Sequence, residues 1–314
     1  MNEITIGIDV GKHSLEVFIT KAKKELKIPN TVKGIEALIT RLKKYKSVKL
    51  IFEPTGGYEL LLAKLLKQAG MRFSLVAPNR IRTFARALGI SAKTDRLDAK
   101  VLARFGEMMD PKDTDFKGDQ HLKLAEISRR RCQVLENIGA EQRRLEVLLD
   151  CSLRERIQRH IDYLNAELEE LERELEDLIN SNEDWKQRSH LLNTVPGVGV
   201  VVTQTLISDL PELGSLSNAE ISSLVGVAPM NKDSGTHSGY RRTIGGRKRV
   251  RKVLYMATLS AIQHNPRVKE FYQRLKTNGK KSKVAIVAAM RKFLTLINTM
   301  VKTQKNWDEF LANA

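Results

Sequence analysis

Along the first 110 positions, apolar residues fall in short runs bounded by turn residues, and these runs alternate with stretches of helical spacing. Ile4–Val10 and Leu15–Thr20 are β-branched runs on either side of Gly11–Lys12, which predicts a hairpin. Lys33–Tyr45 has helical spacing, Val48–Phe52 reads as a buried strand, and Tyr58–Ala69 reads as a helix running up to Gly70. Arg72–Ala77 is a further strand, ended by Pro78, and Thr94–Met109 is again helical. A hairpin followed by β–α repeats predicts a mixed sheet with helices packed on it, an α/β domain over residues 1–110.

The pattern changes between 119 and 182, where there is no proline, almost no glycine and a high density of charge. Ile157, Ile161, Leu164, Leu168, Leu171, Leu175 and Leu178 step by four and three, the seam of a coiled coil. Ser152 and Glu155 have capping-box spacing, so a break falls near Asp150–Ser152. The two halves can form an antiparallel hairpin or pair between protomers, and periodicity does not choose. Residues 111–185 read as an oligomerisation arm, against the plainer alternative of a solvated helical spacer. Residues 186–314 are mostly helical with one glycine-rich basic segment inside.

A chain of 314 residues with a formal net charge of +17 has polyanions as its natural partners. No run reaches the ~18 apolar residues of a membrane span; the best candidate, Val284–Met290, ends at Arg291–Lys292. A strand begins almost at the first residue, leaving no room for a signal peptide. Cys132 and Cys151 are too few and too far apart for a disulfide framework or a zinc knuckle. A cytoplasmic, nucleoid-associated protein with structural thiols is expected.

The first candidate chemistry is acidic. Asp9 lies in the apolar run Ile4–Val10, where an ionised carboxylate costs several kcal/mol, roughly, unless paired or bound to metal. Glu53 closes Val48–Phe52 and precedes a turn, Pro54–Thr55–Gly56–Gly57–Tyr58, that would fix its position. Asp95 and Asp98, at i and i+3 near a helix start, fall on one face. Taken alone they are as well explained by capping and by the helix dipole. Jointly the four point to a hard divalent cation, Mg²⁺ or Mn²⁺, shared with substrate phosphate oxygens.

The second set is basic and glycine-rich. Leu191–Val200 contains Pro196–Gly197–Val198–Gly199 between two apolar stretches, a helix–hairpin–helix pattern in which Gly197 and Gly199 let backbone N–H groups face a phosphate. An ordinary turn between packed helices gives the same pattern. Arg241, Arg242, Arg247, Lys248, Arg249, Arg251 and Lys252, interleaved with Gly245–Gly246, suit a phosphodiester backbone. Ser234, in a glycine-flanked loop beside that run, is either a turn residue or a nucleophile toward phosphorus. His237 reads as a surface loop histidine rather than a base.

Together these residues resemble the DEDD transposases of bacterial insertion sequences, a group that includes bridge-RNA-guided recombinases and the related Piv-type DNA invertases. The resemblance rests on Gly7–Ile8–Asp9, Glu53–Pro54–Thr55–Gly56–Gly57–Tyr58, Lys93–Thr94–Asp95–Arg96–Leu97–Asp98–Ala99, Pro196–Gly197–Val198–Gly199, Gly226–Val227–Ala228–Pro229, Ser234–Gly235, Gly245–Gly246–Arg247 and Leu254–Tyr255–Met256–Ala257. It implies a RuvC-like domain of the RNase H fold with Asp9, Glu53, Asp95 and Asp98 as metal ligands. It further implies Ser234 as a nucleophile forming a phosphoserine link to a cut DNA strand. The implied assembly is a homo-oligomer, dimer or tetramer, in which acidic and serine domains of different protomers complete one site. Donor and target DNA and a structured guide RNA are the implied partners. A metal-only junction nuclease and a Piv-type invertase are the alternatives.

Overall fold

The fully buried Ile6 and Ile8 make Ile4–Val10 (β1) the central strand of the N-terminal half. The computed structural model describes residues 3–90, 95–230 and 241–312, the side chains at 95 and 96 excepted. The chain divides into two compact units, Met1–Gln120 and His121–Ala314.

In the first unit β1 is followed by β2 (Ser14–Ile19), β3 (Lys24–Pro29), α1 (Val32–Leu42), β4 (Val48–Phe52), α2 (Leu60–Gln68), β5 (Arg72–Leu75), α3 (Pro78–Ala87) and α4 (Asp95–Met109). The sheet order is β3-β2-β1-β4-β5. β1, β2 and β3 pair antiparallel, whereas β1–β4 and β4–β5 pair parallel, so the sheet is mixed as expected. Two elements depart from the sequence pattern. β3 is a charged edge strand with little burial, and its Pro29 suits only an edge. Pro78 ends β5 but also begins α3, occupying the first helical turn, where its missing N–H is harmless.

Helix α4 lies across β1 at two glycines. A Cβ on Gly7 would stand 1.9 Å from the Ala99 carbonyl oxygen and 2.5 Å from the Ala103 nitrogen. A Cβ on Gly106 would stand 2.6 Å from Thr5 Cγ2 and 2.5 Å from Ile51 Cγ1. Since Ala99 and Ala103 meet Gly7 while Gly106 meets Thr5, the helix runs antiparallel to the strand. Its first turn therefore lies toward the Asp9 end. Past the other end of α4, the buried Lys49 ammonium pairs with Asp110 at 2.7 Å and Asp113 at 3.4 Å and donates to the Pro111 carbonyl. Ser74 Oγ donates to the Pro111 and Lys112 carbonyls at 3.1 and 2.9 Å. The helix is thus fixed to the sheet beyond its C-terminus.

The second unit opens with two long helices, α5 (Asp119–Val147) and α6 (Cys151–Asn180). They run antiparallel within the chain. Lys123–Glu174 (2.8 Å), Arg130–Glu167 (2.8 Å) and Arg131–Glu172 cross between them, and farther out His160 lies 3.3 Å from Glu141. Val134, Ile138, Ile161 and Leu164 form an apolar strip between the same helices. The break is capped by Asp150, whose carboxylate accepts from Leu153 N at 2.8 Å, so Ser152 is already inside α6. At the base, Leu124, Ile127, Leu175 and Ile179 enter a core shared with α7 (Glu183–Asn193), α8 (Val200–Asp209), α9 (Asn218–Val225), α10 (Lys248–His264), α11 (Pro266–Thr277), α12 (Ser282–Thr303) and α13 (Trp307–Ala312). A two-stranded ribbon, β6 (Pro229–Met230) and β7 (Arg242–Thr243), sits between α9 and α10 in the chain.

Over an 18-residue window α12 has the length and mean apolarity of a membrane span, with 50% of that window buried. No uninterrupted apolar run of that length is present, because Arg291 and Lys292 divide the sequence. Both cations are exposed, on one side of the helix. The opposite face, through Ala289, Phe293 and Ile297, is core.

Candidate active site

Asp9 and Glu53 occupy matched positions on two adjacent strands. β1 and β4 are parallel and in register through Ile8↔Phe52, and each carboxylate is the next residue along. Both are half-buried rather than buried. The premise of an ionised group sealed in a dry strand is therefore too strong for Asp9: it is half-buried one residue before β1 stops, opposite Glu16 of β2, at the edge of the sheet formed by the carboxyl ends of β1 and β4. The α4 first turn, carrying Asp95 and Asp98, lies toward the same end. The sheet thus brings two of the predicted acids side by side and directs the helix bearing the other two toward them. Asp9, Glu53 and Asp98 each have a polar partner. Among the described residues no three acidic, histidine or cysteine side chains are grouped closely enough to hold an ion, and the Asp95 side chain lies outside the described residues. In donor chemistry the acids suit Mg²⁺, which takes one or two protein carboxylates and completes its shell with water and phosphate oxygens.

Two residues that sequence patterning passed over hold the turns at this edge. The Asn30 amide donates to the Gly11 carbonyl and to the Tyr58 carbonyl, both at 3.0 Å, tying the turn after Asp9 to the turn after Glu53. Glu59 is only 7% exposed, and its Oε2 accepts from Thr55 N (3.0 Å), Thr55 Oγ1 (3.1 Å) and Gly57 N (2.8 Å). It closes the Thr55–Gly57 turn much as a capping carboxylate would. The signal was present as an acid four residues after Thr55, but the same spacing occurs on many helix surfaces.

The basic run of the second unit divides into two groups. Arg247 grips Glu212 with two bonds of 2.6 Å and donates to the Asp209 carbonyl at 2.7 Å. Arg249 donates to Ser128 Oγ at 3.0 Å and faces the Asp209 carboxylate at 3.3 Å, while Arg251 donates to the Gly245 carbonyl. These three are half-buried and bind protein groups. Arg241, Arg242, Lys248 and Lys252 are exposed, Lys252 in an exposed pair with Glu136 at 3.3 Å. Asp209 is the perturbed group here: burial raises its carboxyl above the usual range, with Arg249, Arg129 and Arg247 opposing.

Gly197 and Gly199 also separate. Gly197 has φ +97, and a Cβ there would lie 2.8 Å from Ala261 of α10, so close helix packing accounts for it. Gly199 caps α8 with open space around it, and the first residue of that helix, Val200, is 62% exposed. Ser234 and His237 lie outside the described residues.

Comparison with known proteins covers both units. A family model described as a transposase, of the DEDD class of IS110, matches residues 6–153, and one described as "Transposase IS116/IS110/IS902 family" matches residues 189–273. The pilin gene-inverting proteins of Moraxella lacunata and Moraxella bovis are each 28% identical over 319 aligned positions, spanning 98% of this chain and 99% of theirs. An uncharacterized 42 kDa protein of insertion element IS900 from Mycobacterium paratuberculosis is 25% identical over 119 positions, 37% of this chain and 30% of that protein. The T. thermophilus RuvC structure with a Holliday junction substrate aligns over 36% of this chain at 12% identity, with a TM-score of 0.27 that is too low to argue from.

Proposed function

The chain belongs to the transposase IS116/IS110/IS902 family, related to the pilin gene-inverting proteins, and from that premise we propose that it is a Mg²⁺-assisted recombinase that cuts and rejoins DNA through Ser234. The observation that carries the acidic half of this reading is the placement of Asp9 and Glu53 one step beyond Ile8↔Phe52, at the edge toward which α4 directs its first turn. We take this unit as RNase H-like, with Asp9, Glu53, Asp95 and Asp98 as the residues that would hold the ion. Bound there, Mg²⁺ or Mn²⁺ supplies positive charge to the phosphate oxygens and to the departing oxygen of the DNA.

Ser234 Oγ attacks the scissile phosphorus. An O–P bond forms to the serine, the phosphodiester O–P bond breaks, and the freed DNA hydroxyl takes up a proton; the serine proton leaves to solvent or a nearby base. Attack by a DNA hydroxyl on the phosphoserine reverses the step on a new partner, so the bond count is conserved and no external energy is needed. Asn30 and Glu59 keep the two acid-bearing turns in place throughout. The exposed cations of the basic run contribute sequence-independent phosphate contacts. Such contacts leave sequence choice to another agent, and pairing by a structured RNA is the reading the family resemblance favours. An oligomer, with acids and serine from different protomers, completes the site.

A second reading draws on the near full-length match to the pilin gene-inverting proteins: inversion of a resident segment in place of transposition. Plasmids carrying paired sites in direct or inverted orientation separate the two. In either case Asp9→Asn and Ser234→Ala each abolish recombination. Persistent strand cutting by Ser234→Ala would assign the chain to the metal-only nucleases instead.

A further inference from the structure

Helix α3 lies on the same face of the sheet as the acids proposed to hold the ion. Gly7 of β1 and Ile51 of β4 face α4, and Asp9 and Glu53, each two residues further along, come to that face by strand alternation. Ile81 and Phe84 of α3 pack there with Ile51, Val101, Leu102 and Phe105, the Phe84 and Phe105 ring centroids being 5.3 Å apart. Both ends of α3 stay near the acid-bearing edge. At one end the Val76 N–H donates to the Phe52 carbonyl at 3.0 Å, and Pro78 opens the helix two residues later. At the other, Ile90 packs against the same cluster. It precedes Asp95 by five residues, a reach of at most about 18 Å.

With Ile81 and Phe84 buried, α3 presents Asn79, Arg82, Thr83 and Arg86 to solvent, and it holds no acid. Arg82 and Arg86, one turn apart, have no hydrogen bond or ion pair with any described residue. Like charges at that spacing slightly disfavour a helix, so the fold itself does not call for them. Beyond the acids on the other side, Lys12 in the turn after β1 is exposed and likewise unpaired among the described residues. The strand order sets Lys12 between β1 and β2 and α3 after β5, with Asp9 and Glu53 between them. From β2 to β5 there are three interstrand spacings, about 14 Å, which is about four base steps of 3.4 Å. We propose that Lys12 and the pair Arg82 and Arg86 hold duplex DNA across this edge, one set on each side of the phosphate presented to Asp9 and Glu53. The proposal rests on the recombinase reading, which puts the cut phosphate of DNA, and not of RNA, at those acids. These are positioning residues: they fix which phosphate reaches the acids and touch no reacting atom.

The test is binding of the full chain to a site-bearing duplex without divalent metal, followed by fluorescence anisotropy across a salt series. We expect Arg82→Ala with Arg86→Ala to weaken binding about tenfold and to lower the salt slope by about 1.8, and Lys12→Ala to lower it by about 0.9. Melting temperatures should match the parent's, and Arg82→Lys with Arg86→Lys should restore the slope. The comparison pair is Lys43→Ala with Lys46→Ala, exposed at the opposite edge, where the Ile4 N–H donates to the Ser47 carbonyl; it should change binding by less than about twofold. Neutral methylphosphonates placed singly along the cut strand locate each set. The weakening they cause on one side of the cut should vanish in Lys12→Ala, and that on the other side in the arginine double variant. An equal loss from the Lys43 and Lys46 pair would overturn the proposal while leaving the recombinase reading intact. So would coupling of both sets to the same side of the cut, or a larger loss for a structured RNA than for the duplex. Absence of strand cutting by the unaltered protein when Mg²⁺ is restored would sink both.

Discussion

Gly7 lies in backbone contact with Ala99: a Cβ on the glycine would come within 1.9 Å of the Ala99 carbonyl oxygen. The helix that carries Asp98 is therefore seated on the strand that carries Asp9 at a point with no space for a methyl group. Gly7→Ala is expected to destabilise the first unit by about 3 kcal/mol, the upper range for overpacking, because the obstacle is main chain and cannot rotate away. Urea unfolding measures this. A variant of ordinary stability would mean that α4 is not held where it is described.

Glu59 is a structural acid beside the acids proposed to hold the ion. Its carboxylate satisfies three donors of the Thr55–Gly57 turn, so Glu59→Ala leaves them unpaired and should cost about 2–4 kcal/mol. Recombination by the variant should fall through loss of folded protein and recover in part at lower temperature. Asp9→Asn should leave stability near that of the parent and not recover. Identical temperature behaviour of the two variants would contradict the separation of roles.

The basic run predicts a second separation. Arg247→Ala removes a fork-to-fork pair with Glu212 and should lower the stability of the second unit by about 1–3 kcal/mol. Lys248→Ala and Lys252→Ala should leave the melting temperature within a degree or two, roughly, and reduce the salt slope of duplex binding by about 1 each. Thermal melts and binding isotherms in parallel decide it.

Asp209 sets a pH dependence of unusual sign. Burial raises its carboxyl above 3.8 in the folded state. It therefore contributes fully below that unfolded value and loses its contribution as pH rises through the folded value. Stability relative to Asp209→Asn should grow as pH is lowered from 7 toward 4. Asp113 behaves oppositely: its hydrogen bond to Arg72 lowers its pKa, so its contribution is present above 3.8 and fades as pH falls through the folded value. Comparing slopes against pH, rather than offsets at one pH, removes the effect of leaving Arg249 without its carboxylate. A flat difference would exclude burial as the dominant influence on Asp209.

Strands and helices with a strong apolar period were legible from sequence: β1, β4 and the α5–α6 pair fall where the pattern places them. β3 was not, because a charged edge strand such as Lys24–Pro29 buries too little to alternate. α3 was not, because Pro78 can stop one element and start the next. The acids were legible as residue types in suspicious places, but the adjacent placement of Asp9 and Glu53 at one edge was not. That edge depends on Ile8↔Phe52 register and on the direction of α4, both set by tertiary contact at Gly7 and Gly106. The arginines of the basic run looked equivalent in sequence, and only their partners Glu212, Asp209 and Ser128 set Arg247 and Arg249 apart from the exposed Arg241 and Arg242.

The central claim is that DNA becomes covalently attached to Ser234 with the help of the acids at the β1–β4 edge. Incubation with a site-bearing DNA duplex that is nicked to trap the intermediate, in Mg²⁺, followed by protease digestion and mass spectrometry, tests it directly. The account predicts a nucleotide-bearing peptide modified at Ser234, absent from Ser234→Ala and reduced at least a hundredfold in Asp9→Asn. Strand cleavage with no protein–DNA adduct, or an adduct at another residue, would contradict it.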